Sequence, residues 1–336
     1  MTGKTNQLKL LYGKVKNNLT DPRLRNIRRH KTGKILLIVI RAFILTGLCF
    51  LIILPIFQKF MFAFRHPRDI ANTQVVWIPE NWSIENFRIS YSYLEYNHSF
   101  WNTLILSVIS SFLQIFATAT IGYALAKLKF KGSTILFFLL ILTLVVPNDS
   151  LAMARTLEFK NIPFFGIKLI GRTLAIYFMS GLGMGIRSAI FVYMFMQAFR
   201  GLPKELEESA EIDGAGVFQT FWRVMLPNVK STIIVVGLFA FVWQWNDYYF
   251  ASILEIQKAL LTLKLSAGSN NLYATIWTSH YKIIIQLGED IAQNARFYGL
   301  IVNTSALLSM LPLLIGYIFV QRKFVEGVER TGITGV

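Results

Sequence analysis

The side chains able to do chemistry collect in three places. Glu205, Glu207 and Glu208 crowd a polar stretch that runs from Pro203 to Gly214. Asp247 closes the run Trp243-Gln244-Trp245-Asn246-Asp247, and Asn148 with Asp149 follows Pro147. None of these makes a catalytic set, because no Ser-His-Asp combination or paired-carboxylate cleft can be assembled from groups this scattered. The four histidines, His30, His66, His98 and His280, have no second ligand at metal-binding spacing. Gly3-Lys4-Thr5 lacks the upstream glycine and preceding strand of a phosphate-cradling loop. The expectation is therefore no catalytic residue, no metal and no cofactor. Carboxylates on a short surface loop are suited to recognition, through charge-assisted hydrogen bonds to basic groups of a partner.

The elements that must carry these residues are membrane helices. Hydrophobic residues make up 54% of the 336 positions and charged residues 15%, too apolar for a soluble domain of this length. Runs near 35–57, 101–126, 134–154, 173–198, 231–253 and 298–320 each approach the roughly twenty residues a bilayer requires. The expected fold is all-α and integral to the membrane, with about six spans. The fourth run contains Gly181-Leu182-Gly183-Met184-Gly185 and Arg187. Pro55, Pro147 and Pro312 interrupt spans, and each frees a carbonyl that a neighbouring helix or a water cavity must satisfy.

Charge sets the orientation. Residues 1–34 hold ten Lys or Arg against the single acid Asp21, which reads as a cytoplasmic flank touching anionic lipid rather than a nucleic-acid arm. The first run is too long for a signal peptide and is expected to remain as an anchor. Cys49 stands alone, so no disulfide framework is available. An even span count returns the C-terminus to the cytoplasm, and Lys127, Lys129, Lys131 and the loop 200–230 then also lie inside. The organisation expected is a basic arm at 1–34, a first span with its extracellular loop at 35–97, a core at 98–320, and a cytoplasmic tail at 321–336.

The loop itself reads as two helices and an elbow. Pro203 suits a first helical turn, and the acids after it face the positive end of the helix dipole. Leu206, Ala210 and Asp213 recur at helical spacing, with Gly214 placed to end the turn. A second helix from about Val217 directs Phe218, Phe221, Trp222 and Met225 toward the membrane, and Pro227 is expected to stop it. Asp247 sits near the outer end of its span, where the surrounding rings form either an aromatic belt or a surface for sugar faces. Asn148 and Asp149 either line a path at a broken helix or cap its frayed end. Asn102, Gln114 and Gln197 are expected to hydrogen-bond between helices.

From Glu208 to Pro227 the loop resembles the EAA loop of ATP-binding-cassette importer permeases: Glu, two small residues, three others, Gly, nine others, an aliphatic residue, one other, Leu-Pro. Ser209 stands for the first Ala and Val224 for the Ile. Asn102-Thr103-Leu104, Tyr123-Ala124-Leu125-Ala126-Lys127, the Trp-Asn-Asp run and the tail from Gln321 to Gly335 resemble the carbohydrate-importing branch and its smaller maltose permease subunit. That resemblance implies a transport subunit of the bacterial plasma (inner) membrane, working by alternating access, with both termini cytoplasmic. Its implied partners are a second homologous permease, two ATPase subunits that bind the ATP themselves, an extracytoplasmic solute-binding protein, membrane lipid and a carbohydrate substrate. ATPase coupling would fall to Glu205, Leu206, Glu208, Ser209, Ala210, Asp213, Gly214, Leu226 and Pro227. The substrate-path candidates are Asn148, Asp149, Trp243, Trp245, Asn246 and Asp247. Two alternatives use the same residues: the same importer class with a non-sugar solute, and a membrane scaffold or sensor that retains the docking loop without transporting.

Overall fold

The computed structural model describes residues 22–70, 72, 77–128, 130–161, 166–279 and 295–333. Among these the chain is helical, with one isolated antiparallel bridge, between Arg65 and Trp82. It divides into two units, Met1–Met61 and Phe62–Val336. The first unit holds nearly all of α1 (Pro22–Ala63). Helix therefore continues back into the basic arm, while residues 1–21 of that arm lie outside the described residues. Side chains such as Phe43, Leu51 and Ile52 are exposed along α1, which suits a helix whose solvent is lipid. Pro55 lies inside it without ending it.

The second unit opens on a polar clasp. Asn86 Nδ2 donates to the Ala63 and Arg65 carbonyls at 3.0 and 2.6 Å. Asn81 donates to the buried Asp69 carboxylate twice, from backbone and side chain, both at 2.8 Å. Helix α2 (Glu85–Tyr93) follows and packs on the last long helix. The next, α3 (Tyr96–Lys127), is the centre of the unit. Its polar face, Ser107, Ser110, Ser111, Gln114 and Thr118, is buried at three- and four-residue spacing. Small residues let helices approach closely where lipid supplies no hydrophobic drive. Gly122 shows this most sharply, since a Cβ there would stand 2.7 Å from Phe195 Cβ and 3.1 Å from the Val192 carbonyl. Gln114 Nε2 donates between helices as expected, to the Ser188 hydroxyl at 3.0 Å, and also to the Ile186 carbonyl at 2.7 Å, whereas Asn102 Nδ2 reaches a loop, the Ala259 carbonyl, at 3.1 Å.

Several expected spans are broken. The third is α4 (Ser133–Val145) and α5 (Asn148–Lys160), bent by 110° across Val146 and Pro147. The fourth is not one helix but α6 (Leu174–Gly181) and α7 (Ser188–Arg200). Glycine costs about 1 kcal/mol against alanine in a helix interior, and three of them at alternate positions leave 182–187 outside regular helix. The elbow helices are α8 (Glu205–Ile212) and α9 (Val217–Asn228). The fifth span, α10 (Lys230–Trp245), ends eight residues short of its expected limit of 253. Asn246 and Asp247 leave the helix before α11 (Tyr249–Ile253). After α12 (Leu261–Ser266) and α13 (Gly268–Ser279), α14 (Ala295–Ile333) closes the described chain. Among the described residues three helices are long and apolar enough to cross a membrane, or up to five when each bent pair counts as one.

Pro312 stays inside α14. It cannot donate to the Leu308 carbonyl one turn earlier, and Tyr96 Oη supplies that hydrogen bond from α3 at 3.2 Å. A neighbouring helix thus satisfies the freed acceptor, as a lipid environment requires.

Candidate functional site

The elbow is built by helix-end chemistry. At the end of α8 the Ala215 N–H bonds the Ala210 carbonyl at 2.9 Å and the Gly214 N–H bonds the Glu211 carbonyl at 3.0 Å. This pairing closes a helix on a left-handed residue, and Gly214 has φ +78° with nothing near its absent side chain. Helix α9 then returns toward the core. It widens into a π-helical turn at Phe221–Met225 just ahead of Pro227, where the proline deprives Arg223 of its usual donor. Asn228 Nδ2 covers the next carbonyl, Val224, at 2.7 Å. The expectation that Pro227 stops this helix is corrected: helix runs on through Asn228, and the 83° bend into α10 falls at Val229.

The faces of the elbow separate cleanly. Leu206, Phe221, Met225 and Leu226 join the cluster of Tyr123, Phe195 and Phe199. Ala210 is buried as well, so its small side chain serves the approach of the two elbow helices within the chain. Glu205, Glu208, Ser209, Asp213, Gly214 and Pro227 are exposed. Of the four side chains expected to point toward the membrane, Phe221 and Met225 are buried and Trp222 is 40% exposed, while Phe218 is 70% exposed, beside Ile212 at 86% and Val217 at 57%. Apolar side chains exposed next to carboxylates make an interaction surface.

One acid is spent internally. Glu207 accepts from Tyr123 Oη at 3.2 Å and pairs with Lys127 Nζ at 3.3 Å, and Lys127 also donates to the Leu202 carbonyl at 3.1 Å. This latch fastens the elbow to the end of α3. In the sequence Glu207 stands only as one of three first-turn acids. No spacing rule connects it to Lys127 across 80 positions, so only the packed structure could reveal the pair.

The other candidates lie around the breaks. Trp243 stacks on Phe191 and on Phe239, with ring centroids 5.2 and 5.3 Å away, and Arg187 lies 4.8 Å over its ring. Trp245 turns into the core and donates its indole N–H to the Ser309 carbonyl at 3.1 Å. Asp247 accepts from the Phe250 and Ala251 N–H groups at 3.2 and 3.3 Å, capping α11. Asn246 Nδ2 returns to the Val242 carbonyl at 2.9 Å. Asp149 is exposed in the first turn of α5 and hydrogen-bonds the Tyr249 hydroxyl. Asn148 opens the same helix, and its side chain lies outside those described.

A packed helical core that ends in an exposed elbow has known counterparts. Residues 118–328 match the model of the family described as "Binding-protein-dependent transport system inner membrane component". The chain belongs to this family. As an inner membrane component it is a transport protein and not an enzyme. It is similar to the probable starch degradation products transport system permease protein AmyC of Thermoanaerobacterium thermosulfurigenes, at 26% identity over 76% of this chain and 82% of that one. It is similar also to the maltodextrin transport system permease protein MalD of Streptococcus pneumoniae, at 27% identity over 87% and 93%. A solved bacterial ABC transporter involved in import of the acidic polysaccharide alginate shares the fold, with TM-score 0.61 and 19% identity over 87% of this chain and 98% of that one.

Proposed function

We propose that this inner membrane component is one of two homologous permeases of an ATP-driven carbohydrate importer. It would work with two ATPase subunits and an extracytoplasmic sugar-binding protein, and the 203–227 elbow couples it to one ATPase. The observation that carries the coupling role is the elbow's two-sidedness: Leu206 and Ala210 hold it to the core, while Glu208, Ile212, Asp213 and Phe218 are presented outward. A docked ATPase would meet a carboxylate rim around an apolar centre, the arrangement of a binding surface. The saccharide cargo is supported by relatives whose names specify maltodextrin and starch degradation products.

The chain makes six spans in this reading, with α4 and α5 counted as one and α6 and α7 as another. Both termini and the elbow are cytoplasmic, in keeping with the basic residues at 1–34 and at Lys127 to Lys131. Transport proceeds by alternating access: nucleotide-driven closure of the ATPases moves the elbow, and α3 and α10 follow. Trp243, Asn246 and the α4–α5 break at Asn148 and Asp149 lie along the path, with Asp247 and Trp245 supporting it from behind.

The test is co-purification followed by uptake. Glu208→Lys is expected to strip the ATPase from the detergent-purified complex while the chain still inserts. Gly214→Val forces a branched side chain into φ +78°, at a cost of roughly 1–2 kcal/mol, and is expected to uncouple ATP hydrolysis from uptake. Wild-type uptake in both variants would remove the coupling role. An assembly that retains its ATPase but hydrolyses no faster with loaded binding protein would be a scaffold or sensor.

A further inference from the structure

At the two helix breaks the second unit forms an open cavity of about 630 Å³, lined mostly by apolar residues such as Leu140, Leu144, Val146 and Met184, together with Arg155 and Arg187. Its size falls within the roughly 300–1,000 Å³ of small-molecule sites. Among the described residues, two arginines line it and no acid does. Intramembrane arginines ordinarily pair with an acid or a carbonyl. Here Arg155 rests 5.0 Å over the Phe250 ring and Arg187 4.8 Å over Trp243. Aromatic faces hold a guanidinium in place and leave its N–H groups unspent. Arg155 Nη1 is buried without a hydrogen-bond partner. Asp149, on the same helix as Arg155, does not line the cavity, and the Tyr249 hydroxyl stands near both side chains. Arg187 also adopts a left-handed backbone, φ +52°. Glu95 and Glu255 share that conformation, φ +45° and +52°, also at helix ends.

The geometry points to a binding site for an oxyanion carried by the transported saccharide, such as a uronate carboxylate, gripped between Arg155 and Arg187. Guanidinium groups match carboxylate and ester oxyanions in bidentate fashion, and the aromatic supports fix both donors before the ligand arrives. The proposal rests on the carbohydrate-import reading and narrows it to anionic sugars.

The experiment uses the whole importer with its binding protein, in proteoliposomes, with tri-galacturonate and neutral maltotriose as probes. Tri-galacturonate is expected to be carried in preference. Arg155→Gln and Arg187→Gln should each lower its uptake roughly tenfold or more, as loss of a hydrogen bond to a charged group implies, and Arg187→Lys should restore part of it. Added tri-galacturonate should also shift the tryptophan emission of the wild-type permease complex, but not that of Trp243→Phe. Maltotriose carried with tri-galacturonate refused, and both Gln variants unchanged, would overturn the anion site and leave the carbohydrate reading intact. Refusal of both trisaccharides, with no emission change, would sink both readings. Loss of the second permease from purified Arg187→Gln would reassign the arginine to a subunit contact. A Gln effect present in phosphatidylglycerol and absent in phosphatidylcholine would reassign the cavity to lipid phosphate.

Discussion

At the scale of single residues, partners decide what each charge does. Glu207 and Glu208 are neighbours, yet one is committed inside the chain and the other is exposed. The Lys127 and Glu207 side chains retain only 9% and 20% of their exposure. Removing either partner strands the other charge, at a cost of about 1–3 kcal/mol. Lys127→Met and Glu207→Gln are therefore expected to lower the melting temperature of the purified complex and reduce solute moved per ATP, with ATPase binding kept. Asp69 gives a pH signature. Burial pushes its carboxyl up, but hydrogen bonds from the Asn81 side chain and backbone, with the charges of Arg65 and His66 beside it, prevail and hold it below its ordinary value near 3.8. A depressed carboxyl stabilises the fold fully above the ordinary carboxylate range, and that share is lost as pH falls through the folded-state value. Melting measured from pH 7 down to pH 3 should show a drop below about pH 4 that Asp69→Asn lacks.

At the scale of elements, the informative helices are those whose hydrogen bonding is interrupted. Pro147 ends α4 and lets the chain turn by 110°, and the glycines of 181–185 divide the fourth span. Pro312 interrupts nothing, because Tyr96 reaches across from α3. Tyr96→Phe leaves the Leu308 carbonyl without that donor, and an orphaned buried acceptor costs about 1–3 kcal/mol. The expected result is a lower melting temperature and faster amide exchange around 308–312, with the elbow unaffected. Exchange indistinguishable from wild type would show that α14 satisfies Leu308 by other means.

At the scale of the molecule, the six-span proposal makes an accessibility prediction. In a Cys49→Ser background, Lys131→Cys and Glu211→Cys should react with an impermeant maleimide only after cells are opened, and Trp77→Cys in intact cells. Labelling of Glu211→Cys in intact cells would reverse the orientation. Helical class, the long apolar helices covering 35–57, 101–126 and 298–320, and the left-handed Gly214 after α8 were all readable from sequence. Each rests on local chemistry: apolar length against bilayer thickness, proline without an N–H, and glycine at a left-handed position. The division of the fourth span was signalled by its glycines and Arg187, but composition alone could not weigh them against twenty apolar neighbours. Other features belong to tertiary structure alone. Ala210 faces inward and Phe218 outward because α8 and α9 pack on each other and on α3. Trp245 is core and Trp243 is not because α10 presents them to different neighbours. Lys127 meets Glu207, and Arg155 shares a cavity with Arg187, only because bent spans bring distant segments together. Periodicity and breakers fix where helices start and stop, whereas which side chains meet depends on how those helices cross, and no local pattern encodes that.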